Sequence, residues 1–318
     1  MNYDIFNGDA DGIIALLQLR LDQPKDAVLV TGVKRDIKLI SKIDVQQGDD
    51  LTVLDISMEK NKADLLNALE VGTKVFYADH HRPGDIPEAD NLQVHIDTDP
   101  NTCTALIVDK LLAGKYRLWA ITAAYGDNMI ARADALADQI PLTKAQKEQL
   151  KEFGTLVNYN GYGAAVEDLH YHPADLFNAL LPYSSPFDAI QQSDSPYHVL
   201  KSAYENDFAN ALAANATHKS DLLTVIQLPD EPWSGRISGV LGNHLANSTP
   251  TSAHAVLTSN SDGSYTVSLR APLNNKQGAG QICSEFPTGG GREAAAGINA
   301  LQPSDLPRFI ERIESYYR

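Results

Sequence analysis

The chain has 318 residues, 43% of them hydrophobic, which is enough for two domains with separate cores. Its 26 basic residues face 41 acidic ones, a formal charge of -15, and no run is rich in Lys or Arg. Proteins that grip long nucleic acid neutralise many phosphates with such residues, so a long duplex partner is excluded while a small phosphorylated ligand stays compatible.

The elements expected in chain order begin with an apolar strand at residues 3–6 and a helix opening at Gly12, straight after the Asp9-Ala10-Asp11 turn. Further strands are expected at 27–30, 51–54, 74–78 and 92–96, then a helix around 104–112. Near-continuous apolar strands separated by helical stretches imply a parallel sheet covered on both faces, an α/β fold. Residues 143–215 read as helical, including 144–150 and 199–214. A second, smaller α/β domain follows, with strands at 222–226, 253–257 and 265–269, a helix at 238–247, a Gly-rich stretch at 289–297 and a last helix from Leu306. The expected domains are 1–190 with its helical cap, a linking helix at 191–217, and 218–318.

No apolar run approaches the roughly 20 residues of a membrane span. Met1-Asn2-Tyr3-Asp4 lacks the pattern of a signal peptide, so a cytoplasmic location with no membrane partner is expected. Cys103 and Cys283 stand alone in the sequence and read as small buried hydrophobes.

Asp9 with Asp11, Asp55, and Asp79-His80-His81 fall at the ends of expected strands, and Asp127 adds a further carboxylate. Ligands of open α/β sheets bind beyond those carboxyl ends. Carboxylates gathered there repel one another, by about 4 kcal/mol for two charges ~4 Å apart at an effective dielectric of 20. Such a cluster makes sense only if divalent cations neutralise it, which points to a metallo-hydrolase.

The order DADG, LDIS, ADHH, GDN and GGGREAAAG resembles the DHH phosphoesterase superfamily, in the branch with a DHH-associated C-terminal domain (RecJ-like and nano-RNase-like). The resemblance spans nearly the whole chain. It implies hydrolysis of phosphodiester or phosphoanhydride bonds with two divalent ions, usually manganese, with magnesium as another candidate. By position it implies Asp9 on the first metal, Asp11 on the second, Asp55 bridging both, and His80 and Asp127 completing the second. His81 would bond the substrate phosphate or a metal ligand, with Asp79 orienting the imidazoles as the catalytic pair.

Two features depart from the family pattern. Where relatives carry His or Asp near the first motif, this chain has Ile5 and Asn7, leaving the Asn7 amide oxygen as a weaker first-metal ligand. Arg292 replaces the usual His after Gly289, Gly290 and Gly291, and with Arg270 it is expected to bind substrate phosphate.

The implied activity is a manganese-dependent phosphodiesterase or exonuclease on short single-stranded oligonucleotides or dinucleotides. The alternatives are a pAp-type nucleotide phosphatase, a cyclic-dinucleotide phosphodiesterase, and a degenerate member that binds nucleotides without turnover. Oligomeric state stays open, a homodimer included. Lys34, Arg35 and Arg82 read as solvated loop charges, His170 and His172 as a surface pair, and Trp119 and Trp233 as core residues.

Overall fold

The N-terminal apolar run forms β1 (Asn2–Phe6), and the chain turns at once into α1 (Ala10–Asp22). Next come β2 (Val28–Val30), β3 (Asp50–Leu54), α2 (Lys62–Val71), β4 (Lys74–Asp79) and β5 (Leu92–Ile96). The five strands make one wholly parallel sheet in the order β2-β1-β3-β4-β5. Its register sets Phe6 beside Leu54 and Leu54 beside Ala78. The residues that follow, Asn7, Asp55 and Asp79, are therefore brought to one edge by backbone pairing alone.

Helices α3 (Thr104–Leu111), α4 (Arg117–Gly126), α5 (Ile130–Ala137), α6 (Lys144–Asn160), α7 (Pro173–Leu180), α8 (Pro186–Gln191) and α9 (Pro196–Leu212) follow. The helical region thus includes α4 and α5, which the sequence reading did not assign. Trp119 to Gly126 of α4 is buried residue after residue, so no polar face marks its period. The chain's central helix, α1, is of the same kind: Ile13, Ile14, Leu16 and Leu17 are all fully buried. It packs against α3, α4, α6 and α7. Arg20 near its C-terminal end is buried too, donating through Nε to Asp4 Oδ2 at 2.7 Å and through a terminal nitrogen to Thr52 Oγ1 at 2.9 Å. This charge-assisted fork ties α1 to β1 and β3.

The remaining elements are β6 (Ala216–Lys219), β7 (Leu223–Leu228), α10 (Pro232–Ser248), β8 (Ala253–Ser259), β9 (Tyr265–Arg270), α11 (Ala279–Ser284), β10 (Gly289–Gly291), β11 (Ala295–Leu301) and α12 (Leu306–Tyr317). Their six strands form a mixed sheet in the order β10-β11-β9-β8-β7-β6, with only β7 and β8 parallel and α10 as the crossover between them. Phe309 and Ile313, four apart on α12, are buried in the core with Val225, Leu257, Leu269 and Ile282. Each such burial contributes about 1.5–3 kcal/mol.

This computed structural model describes all of residues 1–318, and the chain divides into two compact units, Met1–Ala203 and Tyr204–Arg318. No helix is long and apolar enough to cross a membrane. Cys103 and Cys283 are both buried free thiols. Trp119 lies in the core of the first unit and donates its indole N–H to the Tyr183 carbonyl, while Trp233 is half-buried in the first turn of α10.

Candidate metal centre

Asp55 follows β3 in the left-handed region, at φ 57°, with its N–H held by the Ala78 carbonyl at 3.1 Å. That backbone conformation is costly for most residues and tolerated by Asp, and it marks a position where side-chain direction matters. His80 has Nδ1 3.1 Å from the Thr102 carbonyl, which makes Nδ1 the protonated nitrogen and leaves the Nε2 lone pair free. Nε2 stands 3.5 Å from Asp55 Oδ1 and 3.8 Å from Asp11 Oδ2. Ligands bound at ~2.1 Å around one ion stand about 3–3.5 Å apart, so a small closure would seat a cation among these three groups. Asp55, His80 and His81 each offer a donor atom within 4.8 Å of the others.

The neighbours fix these donors. Asp11 accepts the N–H groups of Thr104 and Ala105, each at 2.7 Å, so it also caps the N-terminus of α3 from 93 residues away. A carboxylate has about four lone-pair sites, and two remain for a cation. Thr104 Oγ1 donates to Asp55 Oδ1 at 3.1 Å. Asp79 Oδ1 takes His81 Nδ1 at 2.7 Å and the His80 N–H at 2.9 Å, while its Oδ2 is buried with no hydrogen-bond partner. The bond to Asp79 holds the half-exposed His81 imidazole above its usual range, against the opposing effect of burial.

Charge crowding shows at Asp55. Burial, then the carboxylates of Asp11, Asp9, Asp79 and Asp127, push it well above the usual aspartate range. Asp127, at the C-terminal end of α4, is also raised, by burial first, although Lys34 opposes this. Burial likewise pushes the Cys103 thiol up, with Asp11 adding to it, so that thiol is no nucleophile.

Asp9 is different, and here the sequence reading needs a correction. Lys34 is not a solvated loop charge: its ammonium lies 2.6 Å from Asp9 Oδ2, 3.2 Å from Asn158 Oδ1 and 3.6 Å from Asp127 Oδ1. Asp9 Oδ1 meanwhile caps α1, accepting from the N–H groups of Asp11 and Gly12 at 3.0 and 3.1 Å. Burial alone would lower Lys34, yet Asp9, Tyr162 and Asp127 hold it well above the ordinary lysine value. Asp9 in turn is held below the usual range, Lys34 outweighing burial. Asn7 is engaged as well. Its oxygen accepts the Asp9 N–H at 3.2 Å, and its amide donates to the Lys34 carbonyl at 3.1 Å.

Every metal and catalytic residue expected from sequence (Asn7, Asp9, Asp11, Asp55, Asp79, His80, His81 and Asp127) lies in the first unit, around the carboxyl edge of its sheet. The sequence reading missed Lys34, Thr104 and Asn158. Arg35, Arg82, His170 and His172 are exposed, as expected. The expected phosphate residues belong to the second unit. Gly289, Gly290 and Gly291 form no loop there: they are strand β10, paired with Ile298, Gly297 and Ala296. A Cβ on Gly289 would lie 1.9 Å from the Cys283 carbonyl oxygen, so close packing against α11 requires that glycine. Arg292 is exposed in the turn closing the hairpin, its backbone exchanging hydrogen bonds with Ala295. Arg270 reaches Asn243 Oδ1 at 2.7 Å and Ser268 Oγ at 3.0 Å, bracing β9 against α10.

Residues 222–318 match the family model of the DHHA1 domain. The whole chain superposes on a manganese-bound exonuclease RecJ with a TM-score of 0.60 at 15% identity, covering 99% of this chain and 89% of that one. A pGpG-specific phosphodiesterase, PggH of Vibrio cholerae, gives 0.56 at 14% identity with 100% and 99% covered. An exopolyphosphatase-related protein of Bacteroides fragilis gives 0.56 at 14% with 99% and 92% covered. No curated protein matches the chain in sequence. Residues 222–318 thus carry a DHHA1 domain, and the chain as a whole shares its fold with these proteins.

Proposed function

We propose that the chain is a metal-dependent phosphoesterase that hydrolyses short single-stranded oligonucleotides or dinucleotides to mononucleotides. One observation carries this: His80 Nε2, its tautomer fixed by the Thr102 carbonyl, faces the carboxylates of Asp55 and Asp11. Asp11, Asp55 and His80, with Asp127 nearby, would hold a divalent ion, and mixed carboxylate and imidazole donors suit manganese. When bound, the ion supplies a water of lowered pKa and a Lewis acid for a phosphoryl oxygen. His81, held through Nδ1 by Asp79, keeps its other ring nitrogen to donate to a substrate phosphate. Thr104 fixes Asp55 by a hydrogen bond, and Asp79, buried beneath both imidazoles, sets their orientation.

The formal charge of -15 supports a short substrate over a long one. The likeness in fold to an exonuclease and to a dinucleotide phosphodiesterase supports the same class. Arg292, exposed at its hairpin turn, is the proposed phosphate contact of the second unit. Arg270 and β10 shape that hairpin's surroundings. The two-metal form of the reaction would need a second ion at Asp9 and Asn7, whose polar atoms already have protein partners.

Labelled dinucleotides, 5-mers, 20-mers, pAp and cyclic dinucleotides, incubated with manganese and resolved by product length, test the proposal. Turnover is expected to be fastest for dinucleotides and 5-mers. Preferential release of phosphate from pAp would replace the diesterase assignment with a nucleotide phosphatase. No turnover of any substrate would leave a nucleotide-binding protein.

A further inference from the structure

Resting on the phosphoesterase reading above, we infer that the Lys34 ammonium takes the place of one divalent cation at Asp9, so that the centre works with a single metal, at Asp11, Asp55, His80 and Asp127. The first-metal residues do not suit an ion. Asp9 spends Oδ1 on the two N–H groups that open α1 and turns Oδ2 to Lys34 at 2.6 Å. Asn7 uses its oxygen on the Asp9 N–H and its amide on the Lys34 carbonyl. Ile5, a little before it on β1, is fully buried and brings no donor. A divalent ion placed on Asp9 would meet a fixed positive charge within hydrogen-bonding distance of the same carboxylate.

Lys34 is held as a built part of the centre. Its backbone N–H donates to the Gly161 carbonyl at 2.9 Å, and its own carbonyl takes the Asn7 amide at 3.1 Å. The loop that carries it packs directly on the loop that carries Asp9: a Cβ on Gly8 would lie 1.8 Å from the Gly32 carbonyl oxygen. The ammonium has three donors, and Asp9 and Asn158 accept two of them. The third direction is left for Asp127, at 3.6 Å, and the ammonium also lies 5.4 Å from the centre of the Tyr162 ring. The Asn7 amide donates to the Lys34 carbonyl, which an ionised aspartate at that position could not do. Asn7 and Lys34 therefore act as one device, an amide that anchors the loop and an ammonium that neutralises Asp9.

Manganese titrated into the chelator-stripped full chain, read by calorimetry and by electron paramagnetic resonance, tests this without relying on activity. The unaltered protein is expected to bind one manganese per chain with the spectrum of an isolated ion. Lys34→Met and Lys34→Gln are expected to admit a second ion and to show spin coupling between the two, while Lys34→Arg stays at one. Two coupled ions in the unaltered chain would overturn the inference, whatever the variants do. So would a single ion in both neutral variants when their circular dichroism is native. That outcome would leave the phosphoesterase reading standing, whereas no bound manganese in the unaltered chain would remove both.

Discussion

Asp9 and Asp55 belong to one acidic cluster, yet their surroundings push them in opposite directions. On one flank, Lys34 and the first turn of α1 satisfy Asp9 and hold it below the usual aspartate range. On the other, Asp55 has burial and four neighbouring carboxylates against it, with the Thr104 hydroxyl as a neutral donor. One acidic cluster thus contains a flank already neutralised by the chain and a flank that needs a cation from outside. The lesson is that counting carboxylates at a sheet edge does not count metal ions. What matters is which oxygens the protein has already spent.

The largest effect expected from this contrast is at Asp55. Asp55→Ala should lower hydrolysis of any active substrate by roughly a thousandfold, about 4 kcal/mol of barrier, and should strip bound manganese more than any other single change. Near-normal turnover in that variant would remove Asp55 from the centre.

The next effect separates the flanks by pH. A carboxyl raised in the folded state keeps a proton that the unfolded chain gives up, so the Asp55 contribution loses stability as pH climbs above the ordinary 3.8 through the higher folded value. A carboxyl lowered in the folded state does the reverse: Asp9 stabilises above 3.8, and this is lost as pH falls through its folded value. In chelator at neutral pH, Asp55→Asn should therefore raise the melting temperature. Asp9→Asn should lower it, the lost charged hydrogen bond costing about 1–3 kcal/mol of stability. Thermal melts of both variants between acid and neutral pH decide the matter, and shifts of the same sign would erase the distinction between the flanks.

The smallest effect lies in the second unit. Arg292→Ala should raise the Michaelis constant for short substrates by about tenfold, ~1.4 kcal/mol, with turnover at saturation and manganese affinity retained. Arg292→His should recover part of the loss. An unchanged Michaelis constant for every substrate would make the β10–β11 hairpin a structural element only.

Much of this could be read before any coordinates. Apolar runs gave β1, β3, β4 and β5 within a residue or so, and the acidic residues just after them had to share an edge once the strands were parallel. The features that escaped depend on contacts distant in sequence. Lys34 lies in an ordinary loop and acquires its meaning only from Asp9 and Asn158, 25 and 124 residues away. Asp11 looks like a ligand and nothing more until α3 docks on it from residue 104. The three glycines of β10 carry no side chains to alternate, so their strand has no periodic signature. In α4 the obstacle was reversed, since burial on all sides erases the polar face that periodicity needs.

The stem of Lys34 has one more consequence. Bound metal ions come and go with their supply, and their occupancy follows mass action. An ammonium on a covalent side chain cannot leave for the bulk: dilution, chelators and metal starvation leave it in place. With its backbone clamped between Gly161 and Asn7, this lysine keeps Asp9 neutralised in a metal-poor cell as fully as in a metal-rich one. On the single-metal inference, the response of the centre to metal supply falls to the His80 flank alone and is expected to follow a single-site saturation curve.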